Sequence, residues 1–126
     1  MNAFLIDLEN RPGMLAGLTG AIAARGINVT GVAGATSPDR GSVALTTDDD
    51  AGTRAALDEA GLRYREVALV SKALEHRPGT LHAAAQSLAD ASVNIEAVLI
   101  TGMDGDRPVV AFAVDDAAAA AGALGD

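Results

Sequence analysis

Two short segments of the chain combine turn-forming residues with polar side chains. LENRPGML occupies residues 8–15, and LEHRPGTL occupies residues 74–81, 66 positions further on. One interpretation is structural: Asn10 caps a helix, Arg11 is solvated, Pro12 is the first helical residue and Gly13 fits a crowded junction. The alternative is that each segment is one wall of a binding site.

An asparagine follows each segment at the same distance. Asn28 lies 18 residues after Asn10, and Asn94 lies 18 residues after His76. Both stand in apolar runs, INV and VNI, where an amide is a poor strand former and costly to bury without a partner. A helix N-terminus with free N–H groups binds a carboxylate, and nearby amides bind an ammonium or a polar side chain. This chemistry suits a free amino acid.

The repeated segments belong to a longer duplication. Residues 1–60 align with residues 67–126 without a gap, and the alignment places matching residues opposite each other in both halves. The matches include Arg11-Pro12-Gly13 with Arg77-Pro78-Gly79, Asn28 with Asn94, Val43 with Val109, and Asp49-Asp50-Ala51 with Asp115-Asp116-Ala117. A match of this length indicates a duplicated supersecondary unit.

The elements of the first copy follow from periodicity and turn residues. We predict a strand at 3–8, a helix from Pro12 to Gly26, two strands within 27–35 and 42–47 around a turn at 37–41, a helix from Asp48 to Gly61, and a strand from Leu62. The split βαβ arrangement, with an antiparallel sheet and both helices on one face, has this order.

The second copy repeats the order up to its second helix. We predict strands near 69–75, 93–101 and 107–114, a helix at 78–91, and a helix from Asp115 into AAAAAGALGD. The predicted fold is α+β, two tandem ferredoxin-like βαββαβ units with domains at 1–68 and 69–126, the second lacking its last strand. The outer edge of its first strand then lacks a partner, and an unpaired edge invites pairing. Either the run Leu62–Glu75 arranges the two sheets to protect this edge or another subunit does, and we predict a homodimer.

Composition excludes several classes of function. The 126 residues carry a formal charge of −8 with scattered Lys and Arg, which argues against nucleic-acid binding. There is no Cys, so disulfides and thiolate zinc sites are excluded, and a cytoplasmic location is expected. The N-terminus is neither a signal peptide nor a membrane span. Aromatic residues make up 2%, so the core must consist mainly of Ala, Val, Leu and Ile.

No catalytic or metal-binding pattern is recognised. His76 and His82, six residues apart, lack carboxylate or Cys partners and are typical of a loop and a helix surface, so we expect no metal and no cofactor. The sequence contains no recognisable Ser/His/Asp arrangement around a nucleophile and no Gly-rich phosphate-binding loop with a Lys. We therefore expect no enzymatic activity.

ENRPGML followed by ARGINV, and EHRPGTL followed by DASVNI, resemble the signature of the ACT domain, an amino-acid-binding regulatory module with a ferredoxin-like fold. The resemblance covers nearly the whole chain as two tandem copies. It implies a ligand enclosed by the loop before the first helix and by the start of the second strand of a neighbouring domain. The implied site residues are Asn10, Arg11, Pro12, Gly13, Met14, Leu15 and Asn28, and His76, Arg77, Pro78, Gly79, Thr80, Leu81 and Asn94.

If the copies pair side by side, the sites combine Asn10 with Asn94 and His76 with Asn28. The expected function is then a sensor that binds a free amino acid and regulates a metabolic enzyme on another chain. Two alternatives stay open. One is a regulatory subunit that docks a biosynthetic enzyme without any ligand. The other, disfavoured by the missing Gly-rich loop, is an acylphosphatase-like hydrolase, which shares the fold and which a phosphate-release assay would reveal.

Overall fold

Six strands and four helices are formed within residues 1–125, the part of the chain that the computed structural model describes. These residues fall into two units, Met1–Glu66 and the chain from Val67 onward. The first unit contains β1 (Asn2–Glu9), α1 (Met14–Ala23), β2 (Val29–Ser37), β3 (Arg40–Thr47), α2 (Asp50–Glu59) and the start of β4 (Arg63–Ala73). Its strands lie in the order β2-β3-β1-β4, with β3 antiparallel to both β1 and β2.

The second unit repeats this plan. It contains the rest of β4, then α3 (Thr80–Asp90), β5 (Ile95–Asp104), β6 (Arg107–Val114) and α4 (Ala117–Leu124), with strand order β4-β6-β5 and antiparallel pairing throughout. Within residues 1–125 no strand follows α4, and Asp126, the end of the predicted last helix, lies outside the described residues. The predicted α+β fold with two ferredoxin-like units is confirmed.

Each unit buries one face of its strands beneath its two helices. In the first unit Phe4 and Ile6 of β1 pack with Leu18 and Ile22 of α1 and Leu57 of α2, all at most 2% exposed. In the second unit Phe112 and Val114 of β6 pack with Leu88 of α3 and with Ala120 and Leu124 of α4. Each large aliphatic or aromatic side chain buried in this way contributes about 1.5–3 kcal/mol. The core is aliphatic as predicted, with one Phe in each unit.

The first helix of each unit begins later than predicted. α1 starts at Met14 with Gly13 as its N-cap, in a left-handed conformation at φ 90°, and no side chain caps it. Gly79 stands in the same conformation before α3, at φ 93°. The interpretation with Asn10 as the cap and Pro12 as the first helical residue is therefore wrong, because the left-handed glycine separates the Pro from the helix.

A β-bulge in the second unit breaks the one-to-one match between the copies. On β5, Ile100 pairs with Val110 of β6 but Gly102 pairs with Val109, so Thr101 is an additional residue. The corresponding part of β2 pairs with β3 without interruption. A bulge adds one residue to one strand while its partner continues unchanged. The gapless alignment is therefore wrong beyond Ile100, where the offset becomes 67.

The corrected offset gives equivalent roles to the aspartates after β3 and β6. The Asp49 carboxylate caps α2 by accepting from Gly52 N–H, and Asp116 caps α4 by accepting from Ala119 N–H. The preceding residues, Asp48 and Asp115, are likewise equivalent. The predicted carboxylate capping of α2 is confirmed.

Asn28 and Asn94 lie just before β2 and β5, not inside them, and both are exposed. The Asn28 backbone N–H donates to Asp48 Oδ1 over 3.1 Å, and the Asn28 carbonyl accepts from Asp48 N–H over 3.1 Å. Asn94 and Asp115 exchange the same two bonds over 2.9 and 3.3 Å. The prediction that both residues lie inside their strands is wrong, because β2 and β5 begin at Val29 and Ile95, two residues later than predicted.

The four helices are short. The longest, α3, has 11 residues. Within residues 1–125, none has the length and apolar character needed to cross a membrane.

Candidate functional site

Each unit has an open cleft between the start of its first helix and its edge strand. The first cleft is lined by residues 8–11, Met14 and Leu15 on one side and by residues 32–36 of β2 and 41–43 of β3 on the other. The second cleft is lined by residues 74–77 and 79–81, residues 98–100 and Met103 of β5, and Pro108 and Val110 of β6. Each has a volume of about 550 Å³, within the range of small-molecule sites.

The clefts exist because the helices do not cover the edge strands. Val32 of β2 lies opposite the core residue Leu45, so it projects to the helix side, yet it is 51% exposed. Val98 of β5 lies opposite the core residue Phe112 and is 45% exposed. Cross-strand neighbours share a face of the sheet. The helix-side face of each edge strand is therefore open to a ligand.

A carboxylate and a guanidinium form an ion pair in the loop of each cleft. Arg11 Nε lies 2.8 Å from Glu9 Oε2, and Arg77 Nε lies 2.6 Å from Glu75 Oε2. The hydrogen bond from the arginine, reinforced by its charge, lowers the pKa of Glu9 and of Glu75 below the ordinary value. At neutral pH both loops thus present a carboxylate and a guanidinium side by side, which can bind the ammonium and the carboxylate of a zwitterion.

The helix starts beside these ion pairs have no side-chain caps. Gly13 and Gly79 supply only their backbone carbonyls, which accept from Gly17 N–H and Ala83 N–H over 2.9 Å each. The first N–H groups of a helix have no partner within the helix itself. Together with the positive end of the helix dipole, they favour an anionic group such as a carboxylate.

The two loops are held in place differently. In the first, the Asn10 side chain donates to the Pro38 carbonyl over 2.6 Å, which ties the loop to the turn between β2 and β3. In the second, the Thr80 hydroxyl bonds the carbonyls of Glu75 and Arg77 over 2.8 and 3.2 Å. The exposed His76 ring replaces the Asn10 amide in this cleft, so the two clefts offer different polar groups.

Many of the site residues predicted from the sequence line the clefts. Asn10, Arg11, Met14 and Leu15 line the first, and His76, Arg77, Gly79, Thr80 and Leu81 line the second. Among the described residues, Pro12, Gly13, Pro78, Asn28 and Asn94 are absent from these two linings. Pro12, Gly13 and Pro78 shape the loops, and each Asn lies outside the cleft of its own unit.

The edge-strand residues of the clefts were not identified from the sequence. Those that project to the helix side are Val32, Gly34 and Thr36 in the first cleft and Val98, Ile100 and Met103 in the second. The alternation of Val98 and Ile100 in a strand was a usable signal. The position of Met103 was not predictable, because it depends on the bulge at Thr101.

The described residues contain no group of three His, Cys, Asp or Glu side chains arranged to hold a metal ion. The chemical groups of the clefts are charged groups at the loop, helix N–H groups without side-chain caps and an apolar strand surface.

Comparisons with known proteins identify a related family and similar folds. The family model of the ACT domain matches residues 3–60. No curated protein has significant sequence similarity to the chain.

The solved structures that match the chain include three that cover 98% of it. Protein BT0572 from Bacteroides thetaiotaomicron is similar with a TM-score of 0.81, at 21% identity over 85% of its own chain. The regulatory subunit of aspartate kinase from Thermus thermophilus, in its ligand-free form, has a TM-score of 0.69 at 26% identity over 88% of its chain. The corresponding subunit from Thermus flavus has a TM-score of 0.65 at 21% identity over 91% of its chain.

Proposed function

We propose that this chain, whose residues 3–60 match the family model of the ACT domain, is a tandem ACT sensor that binds a free amino acid and has no catalytic activity of its own. We assign ACT domains to residues 1–68 and 69–126. The family match and the similarity to a regulatory subunit support a regulatory, ligand-binding role.

The observation that carries the proposal is the repeated construction of the two clefts. Each places an ionised Glu–Arg pair and an uncapped helix start beside an open strand face, in a volume of about 550 Å³. An α-amino acid carries the complementary groups, a carboxylate for the guanidinium or helix N–H groups and an ammonium for the glutamate.

We propose that each site is completed by an asparagine from another ACT unit, in the same chain or in a second one. Asn94 would face the loop of Asn10, and Asn28 would face the loop of His76. The exposure of both amides supports this assignment, because an exposed amide can contact a ligand held by another unit. A homodimer is the arrangement that we propose for the assembled sensor.

The regulated activity lies on another polypeptide in this proposal. The Thermus thermophilus relative is the regulatory subunit of an aspartate kinase, so a biosynthetic enzyme of that kind is the first partner to test. Regulation requires that the amino acid bind one assembly state more tightly than another.

A thermal-shift screen of the natural amino acids tests the binding function. A ligand at 100 times its Kd stabilises the folded state by about 2.7 kcal/mol, which raises Tm by several degrees. Asn28→Ala is expected to weaken the shift, whereas Gln86→Ala, which removes an exposed amide on α3, leaves it unchanged. If no natural amino acid at millimolar concentration raises Tm and Asn28→Ala has no effect, the proposal fails.

One observation favours a second candidate, a subunit that docks an enzyme without any ligand. Leu81, Val98, Ile100 and Met103 are all between 45% and 62% exposed around the second cleft. Apolar residues clustered in this way are typical of protein interaction surfaces. Binding of a purified aspartate kinase, with affinity unaltered by every amino acid, would support this candidate over the sensor.

A further inference from the structure

Equivalent positions on the two edge strands carry side chains of different size and polarity. Val32 and Val98 match, but Gly34 of the first cleft corresponds to Ile100 of the second. Gly34 lies opposite Val43 and Ile100 opposite Val110, so both positions project to the helix side. One cleft therefore has a gap where the other has a branched apolar side chain.

The bulge at Thr101 adds a second apolar side chain to the second cleft. Thr36 lies opposite Gly41 in the first hairpin, and Met103 lies opposite Pro108 in the second. Without the additional residue, Gly102 and not Met103 would occupy this position. Bulges of this kind commonly redirect a side chain towards a functional site.

The second cleft thus has a charged end and an apolar end. Glu75, His76 and Arg77 lie at the loop, and Ile100 and Met103 lie along the strand, where they are 60% and 62% exposed. Binding of a ligand with an apolar part would remove these side chains from water, which is favourable. The complement of this surface is a small molecule with a zwitterionic head and an apolar tail.

We propose that the two clefts select different side chains, and that the second binds an amino acid with a branched or linear apolar side chain. This inference rests on the proposed amino-acid binding and adds the ligand class to it. Ile100 and Met103 determine the selectivity by contact with the ligand side chain. The first cleft, with Gly34 and Thr36 at these positions, lacks that selectivity.

Isothermal titration of the full chain with leucine, isoleucine, methionine, serine, threonine and lysine tests the inference. The double variant Ile100→Thr/Met103→Thr keeps a strand-compatible residue at Ile100 and copies Thr36 at the position of Met103. Its affinity for the apolar amino acids is expected to fall roughly tenfold, because a few apolar contacts with the ligand are lost. Its affinity for serine should change little. Ile100→Leu, which keeps the apolar contact, is expected to retain binding.

The mirror variant Gly34→Ile/Thr36→Met transfers the apolar residues to the first cleft. A Cβ at Gly34 would lie 3.5 Å from Val43 Cγ2, an ordinary contact, so the variant should fold. It is expected to create or strengthen binding of leucine or methionine by a similar factor. Melting curves without ligand establish that each variant is folded.

The outcomes separate this inference from the proposed function. If the wild type binds an amino acid but the double variant keeps the same preference, the inference is overturned and the sensor stands. If no amino acid binds the wild type, both are overturned. If the double variant changes the sedimentation coefficient of the protein but none of its amino-acid affinities, the apolar residues form a contact between proteins. The inference is then also overturned.

Discussion

At the residue scale, Asn10 and His76 occupy equivalent positions in the two loops but differ in their contacts. Asn10 fastens its loop to the Pro38 carbonyl at the β2–β3 turn, whereas the second loop is fastened by the Thr80 hydroxyl to its own carbonyls. The amide of Asn10 is therefore partly engaged within the protein. His76 is exposed.

Replacement of Asn10 should loosen the first loop. Asn10→Ala removes the bond to Pro38 and is expected to lower the free energy of unfolding by about 0.5–1 kcal/mol, as measured by urea denaturation. His76→Ala is the matched control in the second unit and should change it by less. Equal losses in the two variants would contradict the anchoring role of Asn10.

Glu66 is the most strongly perturbed carboxylate in the first unit. It accepts two hydrogen bonds of 2.8 Å from Arg54 and one of 2.8 Å from the Asn2 side chain. The bonds from Arg54 and then Asn2 lower the pKa of Glu66 from 4.5 to about 2. Because the pKa in the folded state is depressed, the stabilisation is complete above pH 4.5 and is lost as the pH falls towards 2.

Glu66→Gln should therefore destabilise the protein in a pH-dependent way. At pH 7 the loss is expected to be about 1 kcal/mol, typical of a partly exposed bidentate pair. Between pH 4.5 and 2 the difference from the wild type should shrink, because the wild-type carboxylate becomes protonated. Glu59→Gln, which breaks the more exposed pair with Arg25, is the control and should have a smaller effect. A loss that is independent of pH would refute this account.

At the element scale, helix starts and strand edges create the clefts. The left-handed glycines before α1 and α3 separate the Arg-Pro turn from the helix and leave its first N–H groups without side-chain caps. The sequence predicts the elements and their order, because apolar periodicity and turn residues are local properties. It does not predict the bulge at Thr101, because a bulge is defined only by the pairing of β5 with β6.

Two glycines close together in the sequence should respond oppositely to alanine. At Gly13, φ is 90° and a Cβ has open space, so Gly13→Ala is expected to cost about 1–2 kcal/mol through backbone strain alone. Gly17, inside α1, also has open space at its Cβ, and Gly17→Ala should stabilise by about 0.5–1 kcal/mol. Thermal denaturation of both variants measures the difference. Changes of the same sign would show that Gly13 is not held in the left-handed conformation.

At the scale of the whole molecule, the two units carry two non-identical clefts. Within residues 1–125, β2 is the edge strand of the first unit and β5 is the edge strand of the second, and an unpaired strand edge favours association. We therefore expect a homodimer in analytical ultracentrifugation at micromolar concentration. A monomer under these conditions, with and without an amino acid that raises Tm, would rule out the homodimer.

The sequence by itself determined the α+β fold, the duplication and the loops that carry the polar site residues, because these depend on local periodicity and on a motif that occurs twice. The tertiary structure decided which residues share a cleft with those loops. It exposed Asn28 and Asn94, tied Asn10 to Pro38 and set Met103 opposite Pro108. These facts depend on strand register and on contacts between distant residues, which a one-residue bulge can alter without a local signal.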